Sequence, residues 1–456
     1  MSELRIPAAV LAVLDTLWSR GFDAYVVGGG VRDALLGRPR PLDWDVATSA
    51  LPEQILTAMP GGKYENRFGT VTVPLEDGLF AEITTFRRDH QYADHRRPDA
   101  VTFTDSLDED LARRDFTVNA VAWGRAAADG EAAQEPGIVD PTNGLADLHA
   151  HLLRAVGDPA TRFDEDGLRL LRAARFAAQL GFEIEPTTRA GMVDKAQVVR
   201  WVSQERIGGE LRRMVAADPP SGAFKVLADT GVLNYALPEL AAQRGVPQDK
   251  IAGHDLWLHC LTSVDAAAVI DPVNQTLRLA ALLHDIGKPN TFADGHFVGH
   301  DVEGARLAEA LLARLAYPRR EAELVVELIR QHMFNYEPRW TGAAIRRFVR
   351  RVGRERIDDL LKLRAADNVG SGLAPDAGHL DELRRRIETE LRSNPPLSLG
   401  DLAVRGDDLT AALNIAPGPR VGELLDRLLM LVIADPAQNR RDVLLAHASD
   451  WLVREP

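Results

Sequence analysis

Residues 26–48 read VVGGGVRDALLGRPRPLDWDVAT, and this stretch decides the fold of the first third of the chain. Ala24 to Val27 is a short apolar run that ends in Gly28-Gly29-Gly30, and an amphipathic helical pattern begins at once. Glycines let the backbone approach an anion closely, and the first N–H groups of a helix carry positive partial charge. Arg32 adds a bidentate phosphate donor. Asp43-Trp44-Asp45 follows in a segment that reads as a strand. Side chains at i and i+2 of a strand point to one face, so the two carboxylates converge. Uncompensated, they repel each other; a divalent cation removes that cost, and oxygen ligands at this spacing suit Mg²⁺. Glu82, in the strand pattern AEITTF at 81–86, is a third candidate carboxylate. A site of this kind performs two-metal phosphoryl transfer: one metal activates an attacking hydroxyl, and the other holds the triphosphate and the leaving oxygen.

The chain has 456 residues, 45% hydrophobic and 27% charged. At roughly 100–200 residues per domain, that length predicts two to four domains with ample cores. The composition excludes a chain disordered throughout, a collagen-like repeat and a disulfide scaffold. No apolar run approaches the roughly 18 residues of a membrane span. Glu3 and Asp15 spoil a secretory signal, and the single Cys260 forms no intrachain disulfide, so a cytoplasmic protein is expected. Net charge is 54 − 67 = −13, which argues against a nucleic-acid coat protein but leaves room for a local basic face.

Further strands are expected at Asp43 to Ala47, Val71 to Pro74, Ala81 to Thr85 and Phe116 to Trp123, with exposed loops at 86–100 and 126–137. After about residue 145 helical spacing dominates, as in Leu168, Leu171, Ala174 and Phe176. The expected fold is an α/β head with a small mixed sheet, followed by an all-α body. The expected domains are a catalytic head (1–148), a helical base-recognition neck (149–245), a metal-binding helical domain (246–372) and a C-terminal helical segment (373–456).

GGGVRDALLG…LDWDVAT resembles the nucleotidyltransferase signature of the polymerase-β superfamily. With RRDFTVNA at 113–120 and FDEDGLRLLRAARFAAQLGF at 163–182, it is similar to the class II CCA-adding tRNA nucleotidyltransferases and the related bacterial poly(A) polymerases. The resemblance implies template-independent addition of CCA to tRNA from CTP and ATP. It makes Asp43, Asp45 and Glu82 catalytic, with Mg²⁺ on the aspartates. Gly29, Gly30, Arg32 and Asp33 would shape the triphosphate site, and Arg114 and Asp115 would hold the ribose. Asp166 and Arg169, in a segment resembling the EDxxR motif, would read the base, with Glu165 orienting Arg169 or capping the helix and Arg172 approaching the triphosphate. Asp166 and Arg169 stand at i and i+3 of an expected helix. One acceptor beside donors fits cytosine and adenine, which carry an amino group next to a ring nitrogen, and clashes with the carbonyl of uracil or guanine. The loop FRRDHQYADHRRPDA at 86–100 is of the kind the family uses in switching from C to A.

A second constellation is His259, His284-Asp285 and Asp367 on expected helices. Two imidazoles and two carboxylates suit a divalent transition metal or Mg²⁺. The pattern resembles the HD phosphohydrolase superfamily, in which His300 and His332 match further metal ligands. That likeness implies an HD-type domain holding a divalent metal of open identity, acting on phosphomonoesters or 2′,3′-cyclic phosphates at RNA ends. Residues 406–422 resemble the distal part of long bacterial members of the CCA-adding family, which implies tRNA contact. Arg346, Arg347, Arg350, Arg351, Arg354 and Arg356, with Arg384 to Arg386, are candidates for phosphate contacts, though each run alone reads as a solvated helix face. Three rivals stand beside the CCA-adding reading. One is a poly(A) polymerase or an enzyme adding only CC or only A, although NRFGTVTV at 66–73 matches the poly(A) signature poorly. The others are an HD hydrolase with a nucleotide-sensing head and a non-catalytic RNA-binding module. No membrane partner is expected.

Overall fold

A computed structural model of the chain describes residues 4–38, 43–66, 69–90, 100–127, 135–248 and 250–454. It divides into two compact units, Met1–Ala241 and Ala242–Pro456.

The first unit is built on a seven-stranded mixed sheet. Its strands are β1 (Ala24–Val27), β2 (Asp43–Thr48), β3 (Lys63–Asn66), β4 (Thr70–Pro74), β5 (Phe80–Thr85), β8 (Ala122–Arg125) and β9 (Gly137–Val139). Their order is β3-β4-β5-β2-β1-β8-β9. Only β2 and β5 run parallel; every other neighbouring pair is antiparallel. All four residues of central β1 are buried, as its unbroken apolar run predicts. The helix Ala8–Ser19 buries Leu14 and Leu17, and its Trp18 Nε1–H is shared by the carbonyls of Ala24 and Arg125, both at 3.1 Å. That donor ties the helix to β1 and β8 at once.

Two expectations need correction. Residues 86–100 are not simply a loop: β6 (Arg87–His90) and β7 (Ala100–Phe103) form an antiparallel pair, while 91–99 lie outside the described residues. Phe116 to Trp123 is not one strand. Phe116 makes an isolated bridge to Ala155, Thr117–Asn119 is a 3₁₀ turn, and the strand begins only at Ala122. The turn lets Thr117 bond the Arg154 carbonyl at 2.9 Å and Asp147 at 2.7 Å, contacts an extended chain would forgo. Of the expected loop at 126–137, residues 128–134 also lie outside the described set, and Gly137 opens β9.

From residue 144 onward helices dominate, interrupted by the parallel pair Leu152–Leu153 and Glu183–Ile184. Among the described residues, the regular structure of the second unit is helical. Its helices Leu256–Ile270 and Ile357–Gly370 are packed together with Gln275–Leu283, and a distal apolar cluster joins Leu409, Leu428, Val432 and Leu444. No helix among the described residues is long and apolar enough to cross a membrane.

Gly28, between β1 and the helix Gly29–Leu35, has φ +74° and ψ −140°. A Cβ there would lie 2.9 Å from Asp45 Oδ2. Gly28→Ala should therefore cost about 1–3 kcal/mol from backbone strain, read as a lower unfolding midpoint, with a loss of activity as Asp45 shifts.

Candidate functional sites

The glycine turn, β2 and the 113–120 segment converge on one place. Asp45 is in register with Val27 of β1 and with Glu82 of β5. Trp44, Val46, Ala81 and Ile83 are buried, whereas Asp45 and Glu82 are exposed. The pleat thus makes the two acids neighbours across parallel strands, roughly 4.8 Å apart in backbone spacing, on one open face. Asp43 opens the same strand, in register with Phe80. The missing Cβ of Gly28 leaves room for both Asp45 Oδ2 and Arg114 Nη1, which a Cβ would approach to 2.9 and 3.2 Å. Two carboxylates facing a glycine turn and a guanidinium suit a divalent cation carrying a polyphosphate.

Behind this face runs a chain of charge-assisted hydrogen bonds. Buried Arg32 donates Nη1 to Asn119 Oδ1 at 2.6 Å, and Nε and Nη2 to Asp33 at 2.9 Å each. Asn119 donates to Asp115 Oδ1 at 3.1 Å, and Arg172 grips Asp115 Oδ2 with Nε at 2.7 Å and Nη2 at 2.6 Å. Arg172, expected toward the triphosphate, is bonded through Nε and Nη2 to the ribose candidate Asp115. Burial raises the Asp115 pKa, but Arg172 and Asn119 outweigh it and hold the carboxyl at about 2. Phe176 lies under the guanidinium groups of Arg32, Arg172 and Arg175, at 5.0, 5.2 and 4.0 Å. Arg114 leans on Asp110 at 3.3 Å. Asn119, the seventh residue of RRDFTVNA, is the link between Arg32 and Asp115.

Asp166 and Arg169 do come together, but not on one face of a continuous helix. Helix Pro159–Glu165 ends before Asp166, which is extended, and Leu168–Leu180 begins after Gly167. Asp166 Oδ1 instead accepts the Leu168 N–H at 3.0 Å, as a capping residue does. The break lies against the 196–201 turn: a Cβ on Gly167 would come within 2.8 Å of the Val198 carbonyl oxygen. Arg169 donates to Glu165, to the Arg162 carbonyl at 3.0 Å and to the Arg113 carbonyl at 2.9 Å, so Glu165 orients it as expected. Asp115, Asp166, Arg114, Arg169, Arg172 and Arg206 share a cavity of about 240 Å³. Arg206 carries no sequence signal, because its partner Asp166 is 40 residues away.

In the second unit, six buried side chains meet. His259 Nε2 is 3.1 Å from His284 Nε2 and 3.3 Å from both Asp367 Oδ1 and Asp285 Oδ2. His300 and His332 direct Nε2 at Asp285 Oδ1, at 3.4 and 3.6 Å. Three of the four rings donate Nδ1–H to the carbonyl three residues back: His284 to Ala281 at 2.8 Å, His300 to Phe297 at 2.7 Å and His332 to Ile329 at 2.6 Å. Each such bond turns the Nε2 lone pair inward, the arrangement metal-ligating histidines share. His300 Nε2 is buried with no hydrogen-bond partner among the described residues. The donor set fits a divalent cation. Burial lowers the His284 pKa, yet Asp285 and Asp367 raise it to about 9, so a proton and a cation compete for one lone pair. The adjoining cavity, about 630 Å³, is lined by Lys250, Lys288 and Arg364 beside Phe297, Met333 and Leu373. Lys288 Nζ is 2.6 Å from Asp285 Oδ2.

The arginine runs prove to be mostly internal fastenings. Arg346 donates to the carbonyls of Ile433 and Ala434 and pairs with Glu390; Arg350 pairs with Asp426 at 3.1 Å. Arg384 pairs with Asp358, and Arg386 donates to Tyr336 and to the Pro338 and Trp340 carbonyls. Arg347, Arg351, Arg354 and Arg385 remain exposed.

Three family descriptions match the chain: a poly A polymerase head domain over residues 24–154, a probable RNA and SrmB-binding site of polymerase A over 181–244, and an HD domain over 257–371. The CCA-adding enzyme of Geobacillus stearothermophilus is 33% identical over 449 residues, covering 97% of this chain and 96% of that one. The Streptococcus mutans CCA-adding enzyme is 33% identical over 436 residues, covering 95% of each. The crystal structure of the Bacillus stearothermophilus CCA-adding enzyme in complex with CTP superposes with a TM-score of 0.70 at 30% identity, covering 98% and 97%.

The Asp115 pair yields an acid-stability prediction. A folded carboxyl at about 2 against an ordinary 3.8 takes up its proton later than the unfolded chain does. Its contribution is complete above about pH 5 and lost as pH falls toward 2. Denaturant titrations should show the stability gap between the wild type and Asp115→Asn narrowing between pH 5 and pH 2.5.

Proposed function

The chain belongs to the CCA-adding tRNA nucleotidyltransferases, and from that premise we propose that it builds or repairs the 3′-terminal CCA of tRNA, using CTP and ATP. The reading is supported above all by the register of Asp45 with Glu82 beside the Gly28 turn. Asp43, Asp45 and Glu82 would hold Mg²⁺, which when bound makes the terminal tRNA hydroxyl more acidic and offsets triphosphate charge. Gly29, Gly30, Arg32 and Asp33 shape the triphosphate site, with Arg32 fixed from behind by Asn119. The terminal 3′-hydroxyl oxygen of the tRNA attacks the α-phosphorus, and pyrophosphate departs. Arg114 and Asp115 hold the ribose. Asp115, kept ionised and already bonded by Arg172, Asn119 and the Phe116 N–H, shapes this ribose pocket, in which a deoxynucleotide leaves the place of the 2′-hydroxyl unfilled and is disfavoured. Asp166 and Arg169 read the base in place of a nucleic-acid template.

Relatives named as CCA-adding enzymes over nearly their whole length favour this reading over a poly(A) polymerase or a CC- or A-adding enzyme. A tRNA lacking its terminus, incubated with single labelled nucleotides, should gain two C from CTP and one A once ATP is added; runs of A without C would overturn it. Asp45→Ala should lower addition by about 10³-fold, the scale of several kcal/mol lost with a metal ligand. Full addition by that variant would favour the sensing-head or RNA-binding alternatives.

We also propose that the histidine–aspartate cluster is a divalent-metal phosphohydrolase site for phosphomonoesters or 2′,3′-cyclic phosphates at RNA ends. Its support is six inward-facing buried donors beside a cavity with three cationic side chains. Phosphatase and cyclic phosphodiesterase assays should show activity in the wild type and none in His284→Ala. Equal activity in both would remove the proposal.

A further inference from the structure

The base-reading pair has a third member. Arg206, in the first turn of the helix Gln204–Val215, meets Asp166 with two parallel contacts, Nη1 to Oδ1 at 3.1 Å and Nη2 to Oδ2 at 2.7 Å. Both side chains are largely enclosed, at 27% and 16% exposure. A carboxylate offers about four lone-pair sites. The Leu168 N–H and Arg206 Nη1 take both on Oδ1, and Arg206 Nη2 takes one on Oδ2. One lone pair on Oδ2 is left among the described residues.

Arg169 can be counted the same way. Its Nη1 serves the Arg162 carbonyl and Glu165, and one Nη2–H serves the Arg113 carbonyl. Of the five donors of a guanidinium, two remain. Of this pair, one acceptor site and two donors therefore remain for a base. Cytosine offers an amino group, a ring nitrogen and a carbonyl, which complement them in number and kind. Adenine supplies the amino group and the ring nitrogen. Uracil and guanine place a carbonyl oxygen against the last lone pair of Oδ2.

That rejection works only while Asp166 cannot turn away. The terminal torsion of an aspartate is broad and about two-fold, so an unheld carboxylate rotates at little cost and a water can bridge it to a carbonyl. We propose that Arg206 is the positioning residue of nucleobase selection: its fork locks the Asp166 carboxylate and aims the single remaining lone pair into the cavity. The proposal rests on the reading that Asp166 and Arg169 select the base. Lysine cannot replace the fork, because an ammonium is a point charge without planar bidentate geometry.

The test uses the full chain with tRNA lacking its terminus, measuring kcat and KM for CTP, UTP, ATP and GTP in Arg206→Lys, Arg206→Gln and Asp166→Ala. Both Arg206 variants should lose about tenfold in CTP-over-UTP and ATP-over-GTP preference, the scale of one bidentate contact. The KM for CTP should rise more than kcat falls, and the thermal midpoint should stay within a few degrees of the wild type. Arg206→Gln combined with Asp166→Ala should be no less selective than Asp166→Ala alone. Unchanged preferences in folded Arg206 variants, with Asp166→Ala unselective, would overturn the role of Arg206 alone. Wild-type preference in Arg206→Lys would show that charge suffices and overturn the fork. A selective Asp166→Ala enzyme would overturn the base-reading assignment itself. Should the glutamine variant fail to fold, the lysine variant carries the same comparison.

Discussion

The burial of one indole fixes the working face of the head. Trp44 is fully buried, packed so closely on the helix that follows the glycine turn that a Cβ at Gly30 would lie 2.9 Å from its ring. A strand alternates its faces, so with Trp44 inward, Asp45 must point outward, next to Glu82. A one-residue slip would expose the indole, losing about 3 kcal/mol of burial, and would bury carboxylates without partners at greater cost. Both terms act in the same direction, and the two acids inherit their position from the core.

Behind that face, charge is managed by pairing rather than by exclusion. The chain is acidic by 13 charges, yet the cavity at the neck gathers Arg113, Arg114, Arg169, Arg172 and Arg206 around Asp115 and Asp166. Isolated, any of these charges would be costly to desolvate; paired, each also fixes its partner's geometry. Asp115 is held between Asn119 and Arg172, and Asp166 between Leu168 N–H and Arg206. A site that must recognise donor and acceptor patterns cannot leave its own donors and acceptors free to turn.

The second unit solves a similar problem with helix ends. His284 and His332 close their helices and His300 opens one, and in each case the backbone carbonyl three residues earlier takes the Nδ1 proton. The rings are thereby set in one tautomer and one orientation by main-chain geometry. Asp285 presents one oxygen toward His259 and His284 and the other toward His300 and His332, so a single carboxylate touches every imidazole of the cluster.

Local pattern carried a great deal. The apolar run before three glycines, the D-x-D of β2 and the change to helical spacing after residue 145 each depend on neighbours within a few positions, and the sheet-then-helices order follows from them. The ordered motifs named the family and supplied the candidate residues of both sites. What the pattern could not supply was pairing across sequence distance. That Asp45 faces Glu82, that Arg172 turns to Asp115, that Asp166 caps a helix beyond a break at Gly167, and that Arg346 and Arg386 fasten distant carbonyls are all consequences of packing. Sequence alone determined which chemistry the side chains offer, because donor and acceptor identity is covalent. Only the tertiary structure decided how many of those donors and acceptors are left over for a substrate, because that number depends on which partners the fold brings within hydrogen-bond reach.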